Sequence, residues 1–296
     1  MIRAGVLALA LLAGSGSPQV LVSVPDRHRL VEGIATDGET IWLSSVLDRT
    51  ILVRTNGAAL GSFAMPAGTL NPMGIAWDAT RGWLWVATDC PDLPEIERCD
   101  SGALVALDRA GQLKAKLSPG EGFHPGDVSA ADGQVFVSDG LNGAVYRLRG
   151  GVLETLIAPG VGRSAQGTAL SEDGTKLVVA DYGRGVAMID LATKERVLLP
   201  MAGDRPLRGL DGLVRVGPDY YSVHNGSSPG SLVRFRIEGA AIDLAVVHHG
   251  TPLVDPTQIA SDGAQLLIVA DAGWPGASDP QAPRRGPDTV VALPLR

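Results

Sequence analysis

The sequence predicts an all-β chain folded as a six-bladed β-propeller, its N-terminal strand closing the last blade. Three observations predict it. First, one short motif returns six times, as Glu32-Gly33-Ile34-Ala35, Met73-Gly74-Ile75-Ala76, Gly126-Asp127-Val128, Gln166-Gly167-Thr168-Ala169, Asp211-Gly212-Leu213-Val214 and Thr257-Gln258-Ile259-Ala260. Taking positions 33, 74, 126, 167, 212 and 257 as markers, the step is 41 to 52 residues, the length of a propeller blade. Second, a turn and then an apolar run follow each motif, as in Asp37-Gly38 before Ile41-Trp42-Leu43. Third, 38 Gly, 20 Pro and a 45% hydrophobic content suit a turn-rich β chain with a real core and argue against disorder.

The first residues are of another kind. Arg3, the apolar run Gly5–Ala13 and the small residues Gly14-Ser15-Gly16-Ser17 read as a secretory signal peptide over 1–17. The run is too short to span a bilayer, and no Cys follows it to carry a lipid. A single propeller domain over 18–296 is expected, exported to the periplasm or secreted. No later stretch resembles a transmembrane helix, so no stable membrane insertion is expected after cleavage. The net charge of −7 argues against nucleic acid or anionic membrane as partners. A monomer acting on a small-molecule substrate is expected.

Residues 19–24, Gln-Val-Leu-Val-Ser-Val, form a strand with no blade of their own, and Thr289–Leu293 ends the chain in a blade one strand short. Pairing the two closes the ring and removes two open edges. The second strands, such as Trp83-Leu84-Trp85-Val86-Ala87 and Leu266-Leu267-Ile268-Val269-Ala270, are apolar throughout, as in sheets covered on both faces. The turns Asp37-Gly38, Asp132-Gly133, Asp173-Gly174 and Asp262-Gly263 are hairpin signals between first and second strands. The second-to-third connections (45–49, 90–101, 139–143, 181–185, 224–231 and 271–288) are longer and irregular. In an up-and-down blade they share one end with the starts of the first strands, which places a site at that rim. Cys90 and Cys99, the only cysteines, bracket a Pro-containing loop and are expected to form a disulfide in an exported protein.

At the mouth of the channel the motif offers Glu32, Met73, Asp127 or Gly126, Gln166, Asp211 and Thr257. Carboxylates converging on one axis repel unless a cation lies among them, and oxygen donors suit a hard divalent ion. The plainer reading of any one of them is a strand cap; their recurrence at one repeat position favours a site.

On these motifs the chain resembles the senescence marker protein/gluconolactonase/luciferin-regenerating enzyme family of six-bladed propellers. In that family a divalent metal is held by a Glu of an Glu-Gly pair, an Asn of an Asn-Gly pair and an Asp of an Asp-Gly pair. The resemblance implies Glu32, Gln166 and Asp211 as metal ligands, Gln166 departing from the Asn by one methylene. It implies Ca²⁺, with Mg²⁺, Mn²⁺ or Zn²⁺ as alternatives, and hydrolysis of a lactone or similar ester. Asp211 is then ligand and catalytic general base, and Asp127 falls near a further polar family position. Asn225, Tyr182 and Arg184 on the rim are candidate substrate contacts. The rival to the enzyme is a non-catalytic binding propeller of the NHL type using the same rim. Gly226-Ser227-Ser228-Pro229-Gly230 matches G-x-S-x-G, but a strand follows it where a nucleophile elbow needs a helix. The five histidines show no H-E-x-x-H spacing.

Overall fold

The computed structural model describes residues 16–201, 207–239, 241–279, 281 and 287–295. The expected signal peptide therefore lies, but for its last two residues, outside the described residues. Strand β1 (Gln19–Ser23) precedes blade 1, which is β2 (Val31–Thr36), β3 (Thr40–Ser45), β4 (Thr50–Thr55) and β5 (Gly61–Ala64). Blade 2 is β6 (Asn71–Asp78), β7 (Trp83–Asp89), β8 (Ala103–Leu107) and β9 (Leu113–Leu117). Blade 3 is β10 (Pro125–Ala131), β11 (Gln134–Asp139), β12 (Val145–Arg149) and β13 (Val152–Ile157). Blade 4 is β14 (Ala165–Leu170), β15 (Lys176–Asp181), β16 (Gly185–Asp190) and β17 (Arg196–Leu198). Blade 5 is β18 (Leu210–Val216), β19 (Asp219–His224), β20 (Ser231–Glu238) and β21 (Ala241–His249). Blade 6 is β22 (Ile259–Ser261), β23 (Gln265–Asp271) and β24 (Thr289–Pro294), with a short helix α1 (Trp274–Ser278) in its long loop.

All six sheets are four-stranded and antiparallel, and the sixth has the order β1-β24-β23-β22. Gln19 faces Ala292 and Ser23 faces Thr289, so the expected closure is the observed one. Each pair of neighbouring blades shares one apolar cluster. Trp42 and Ile51 meet Leu84 and Val86 between blades 1 and 2, and Leu267 and Val290 meet Ile34 and Leu43 where blade 6 returns to blade 1. The other four interfaces are built alike. Every second strand is thus covered on both faces, which is why those of blades 2, 4 and 6 carry unbroken apolar runs. Each fully buried Leu or Val contributes about 1.5–3 kcal/mol, so stability is spread round the ring.

The motif glycines have a steric reason. A Cβ on Gly33 would lie 2.6 Å from the Met73 carbonyl oxygen, one on Gly167 2.3 Å from Leu213 N, and one on Gly212 2.8 Å from Gln258 Cα. In blades 1, 2, 4 and 5 the inner strand approaches its neighbour too closely round the axis for a side chain at this place. Of the hairpin turns, Asp132-Gly133 has both residues left-handed, φ 51° and 72°, as a two-residue type I′ turn requires.

Candidate functional site

The residue before each motif glycine begins an inner strand at one end of the channel. There Glu32, Met73, Gly126, Gln166 and Asp211 line a cavity of about 700 Å³, together with Tyr182, Asn225, Asp255 and Trp274. The rim loops supply the rest of the wall: the Cys90–Cys99 disulfide loop, Gly140, Leu141 and His124. Cys90 and Cys99 are bonded, with Cα atoms 5.9 Å apart, as their spacing predicted.

The two acids of the motif have hydrogen-bond donors aimed at them. Trp274 Nε1, at the start of α1, donates to Glu32 Oε2 at 2.6 Å, and Trp274 N donates to Asp255 Oδ2 at 2.8 Å. Asn225 Nδ2 donates to Asp211 Oδ2 at 2.8 Å and to the Pro256 carbonyl at 3.0 Å. Both partners accept, so the amide orientation is fixed, and Asn225 Oδ1 is left buried without a partner. Gln166 Nε2 donates to Ser164 Oγ at 2.9 Å. Burial pushes the Glu32 carboxyl up to about 8; the Trp274 bond opposes this and the Asp255 and Asp127 charges add to it. Burial, then the Glu32 charge, holds the Asp211 carboxyl well above the ordinary range. Burial and the charges of Asp211 and Asp255 raise the Tyr182 phenol.

Two expected contacts lie elsewhere. Asp127 does not line this cavity. In β10 Val128 pairs with Val137 as Ile34 pairs with Leu43 in blade 1, so Gly126 takes the rim position and Asp127 the place of the motif glycine. Gln258 holds that place in blade 6, diametrically opposite. The two meet: a Gln258 hydrogen bond pulls the Asp127 carboxyl down, while burial wins and lifts it to about 6. Both line a second cavity of about 220 Å³ at the far end, and neither lines the first. They form a bar across the channel between its two mouths. Arg184 is exposed and donates from Nη1 to the Val161 carbonyl at 3.0 Å, outside the cavity wall. Thr257 does not line the cavity; its hydroxyl donates to the Glu32 carbonyl at 2.9 Å and also favours the ionised Glu32 carboxyl.

The oxygens present fit a hard divalent cation in kind: two carboxylates, the orphaned amide oxygen of Asn225 and the amide of Gln166. Among the described residues, the one trio of His, Cys, Asp or Glu ligand atoms within 4.8 Å of one another is Asp89, Cys90 and Cys99, with its sulfurs bonded to each other. A cation in the channel would rest on Glu32 and Asp211 with amide oxygens, not on a carboxylate trio.

Asp89, His124, Asp255 and Trp274 escaped the sequence reading. One signal for Asp89 was available. The second strands of blades 2, 3, 4 and 6 each end in Asp: 89, 139, 181 and 271. Asp139 accepts the backbone N–H of His124 at 2.8 Å and Asp181 that of Arg163 at 3.1 Å, each just before its blade's inner strand.

No protein-family model matches the chain, and no curated protein matches it. Solved structures do. Over 92% of this chain and 83% of the other, it is similar to a catalytically inactive virginiamycin B lyase from Staphylococcus aureus with quinupristin, at 15% identity and a TM-score of 0.65. It is similar to the PQQ-bound aldose sugar dehydrogenase from Streptomyces coelicolor over 97% of this chain and 100% of the other, at 15% identity and 0.65. It is similar to a luciferin-regenerating enzyme over 94% and 95%, at 14% identity and 0.64. At such identities the likeness carries the six-bladed propeller fold and nothing finer.

Proposed function

We propose that the chain is a hydrolase of lactones or related carboxylic esters, working in the rim cavity with a divalent cation, Ca²⁺ first among the candidates. The observation that carries this reading is the buried, partnerless Oδ1 of Asn225 beside the Asp211–Glu32 acid pair. Acids that raise one another, next to an acceptor without a donor, form a place where a cation replaces protons. Glu32, Asp211 and the amide oxygens of Asn225 and Gln166 would hold it. When bound, it would polarise the substrate carbonyl and acidify a water. Trp274 fixes the Glu32 carboxyl and Asn225 fixes that of Asp211, so both are oriented before any ligand arrives. Tyr182 offers a phenolic donor on the same wall. The disulfide and the leader-like N-terminus support an exported protein, and no helix among the described residues is long and apolar enough to cross a membrane.

The test is Asp211→Asn, which keeps shape and removes one charge. Expected are roughly stoichiometric Ca²⁺ in wild type by titration calorimetry, and affinity down by about tenfold or more in the variant. Lactone hydrolysis, followed by pH-stat on γ-butyrolactone and δ-gluconolactone, should fall with it. Wild type that takes up no divalent ion and opens neither lactone would sink the reading.

A second reading has its own observation. Trp274 and Asn225 already donate to the two acids, so the cavity is partly satisfied as it stands. A non-catalytic binding propeller would use this wall for a ligand. Unchanged ligand binding in a metal-free Asp211→Asn protein with a raised melting temperature would favour it.

A further inference from the structure

Five histidines are present, and His124 alone among them lines the rim cavity. Its Nδ1 lies 3.0 Å from Asp89 Oδ1. An imidazole that gives its Nδ1 proton to a carboxylate keeps Nε2 as the basic nitrogen. The mounting is rigid. His124 N donates to Asp139 Oδ2 at 2.8 Å, and Pro125 begins β10. On the other side Phe123 is fully buried, edge-on to Tyr146 at 5.2 Å. His124 and Asp89 are themselves mostly buried, 17% and 14% exposed.

His28 supplies an internal contrast. It makes the same contact, Nδ1 to Asp48 Oδ2 at 2.5 Å, but Arg27 Nε donates to its Nε2 at 3.1 Å and it lines no part of the cavity. One His–Asp pair is closed off at both nitrogens. The other, among the described residues, has no hydrogen bond at Nε2 and lines the cavity that Glu32 and Asp211 also line.

We propose that His124, oriented by Asp89, is the proton-transfer residue of this cavity. The inference rests on the hydrolase reading and deepens it. Asp211 already accepts from Asn225 and would hold the cation, whereas His124 Nε2 has neither claim on it. His124 Nε2 takes a proton from water as the water oxygen bonds to the carbonyl carbon. It returns that proton to the leaving alkoxide oxygen as the C–O bond breaks. Acid and alcohol are the products, and the imidazole ends unchanged. Asp89 touches no substrate atom and is a positioning residue. The charged groups against His124 are Asp89 from β7, which meets its ring, and Asp139 from β11, which accepts its backbone N–H; the ion-paired Arg98 and Asp92 of the disulfide loop line the same cavity.

The experiment has two arms. Diethyl pyrocarbonate acylates unprotonated imidazole nitrogen, and peptide mass spectrometry reads each histidine without any substrate. His124 should react at least about tenfold faster than His28, and Asp89→Asn should slow it. In the second arm, His124→Gln should lower kcat on 4-nitrophenyl acetate and γ-butyrolactone about 10²–10⁴-fold, with KM within a few-fold and the acid limb of the kcat pH profile gone. Asp89→Asn should shift that limb while calcium affinity stays unchanged in both variants. His124 reacting no faster than His28 would overturn the proposal. So would His124→Gln with kcat and pH profile intact. Inactive wild type with a reactive His124 counts against the hydrolase reading alone, and supports the basic nitrogen in the cavity.

Discussion

The two mouths of the channel are made from the same strands and differ in almost everything else. At one mouth each inner strand begins, and the residue there is free to vary: Glu32, Met73, Gly126, Gln166, Asp211. One step inward the strands crowd and glycine is imposed at four blades. At the far mouth the strands leave by short Asp-Gly turns, and the wall is mostly Ile, Ala, Val and Leu with Asp127 and Gln258 as its floor. The long loops, the disulfide and α1 all belong to the first mouth. Variation is therefore tolerated where the strands diverge and forbidden where they converge, and chemistry gathers where variation is tolerated.

The largest expected effect erases the contrast altogether. Removing residues 1–25 takes away β1 and opens the sheet it completes, whereas removing 1–17 leaves it. The longer truncation should aggregate or lose its cooperative melt, and the shorter should melt like the full chain. Equal melting of the two would show that the ring does not depend on this strand.

The next test separates the mouths by pH. Glu32 is raised from 4.5 to about 8 and Asp127 from 3.8 to about 6. A carboxyl raised on folding means that the native state binds more protons than the unfolded one, so stability falls as pH rises between the two values. In EDTA the melting temperature should decline from about pH 4 to 6 through Asp127, and from about pH 5 to 8 through Glu32. Asp127→Asn should flatten the lower part, and Glu32→Gln should reduce the upper slope while leaving the share that buried Asp211 carries. A melting temperature that climbs over pH 5–8 in metal-free buffer contradicts both assignments.

A smaller effect contrasts two glycines. Gly167→Ala drives a Cβ to 2.3 Å from Leu213 N and should cost about 3 kcal/mol. Gly126→Ala, whose Cβ would meet nothing nearer than Gln166 Oε1 at 3.6 Å, should be tolerated. Urea denaturation compares them. If both are equally tolerated, crowding is not the reason for the motif.

The smallest expected effect is confined to one mouth. Cys90→Ser with Cys99→Ser should cost about 2 kcal/mol and render the 90–101 loop protease-sensitive. The far mouth, read by exchange of amide protons in β10 and β22, should not change.

The fold was legible because a propeller repeats: six copies of a motif are six independent votes for one geometry. The disulfide and the closing strand were legible for a similar reason, each being a sequence feature left over with one partner available. Asp127 was not, since Gly126-Asp127 offers two residues for one rim position and the pairing of β10 with β11 chooses between them. Trp274 and Asp255 were hidden more deeply. Trp274 reaches Glu32 from a loop whose path no periodicity describes, 242 residues away in the chain. Asp89 sat in a visible series of strand-ending aspartates, but the series is structural in blades 3 and 4, and nothing in its spacing tells that blade 2 turns its copy toward a histidine.

The pairing of β1 with β24 also sets an order in time. Gln19 is among the first described residues to be synthesised and its partner Ala292 among the last. The final sheet therefore cannot form until β24 has been made, however early the other blades assemble. Contacts of such long range make folding slow, and the waiting β1 and the uncovered flank of blade 1 are sticky meanwhile. A chain built this way spends its youth as an open arc, and becomes a ring only at the last strand.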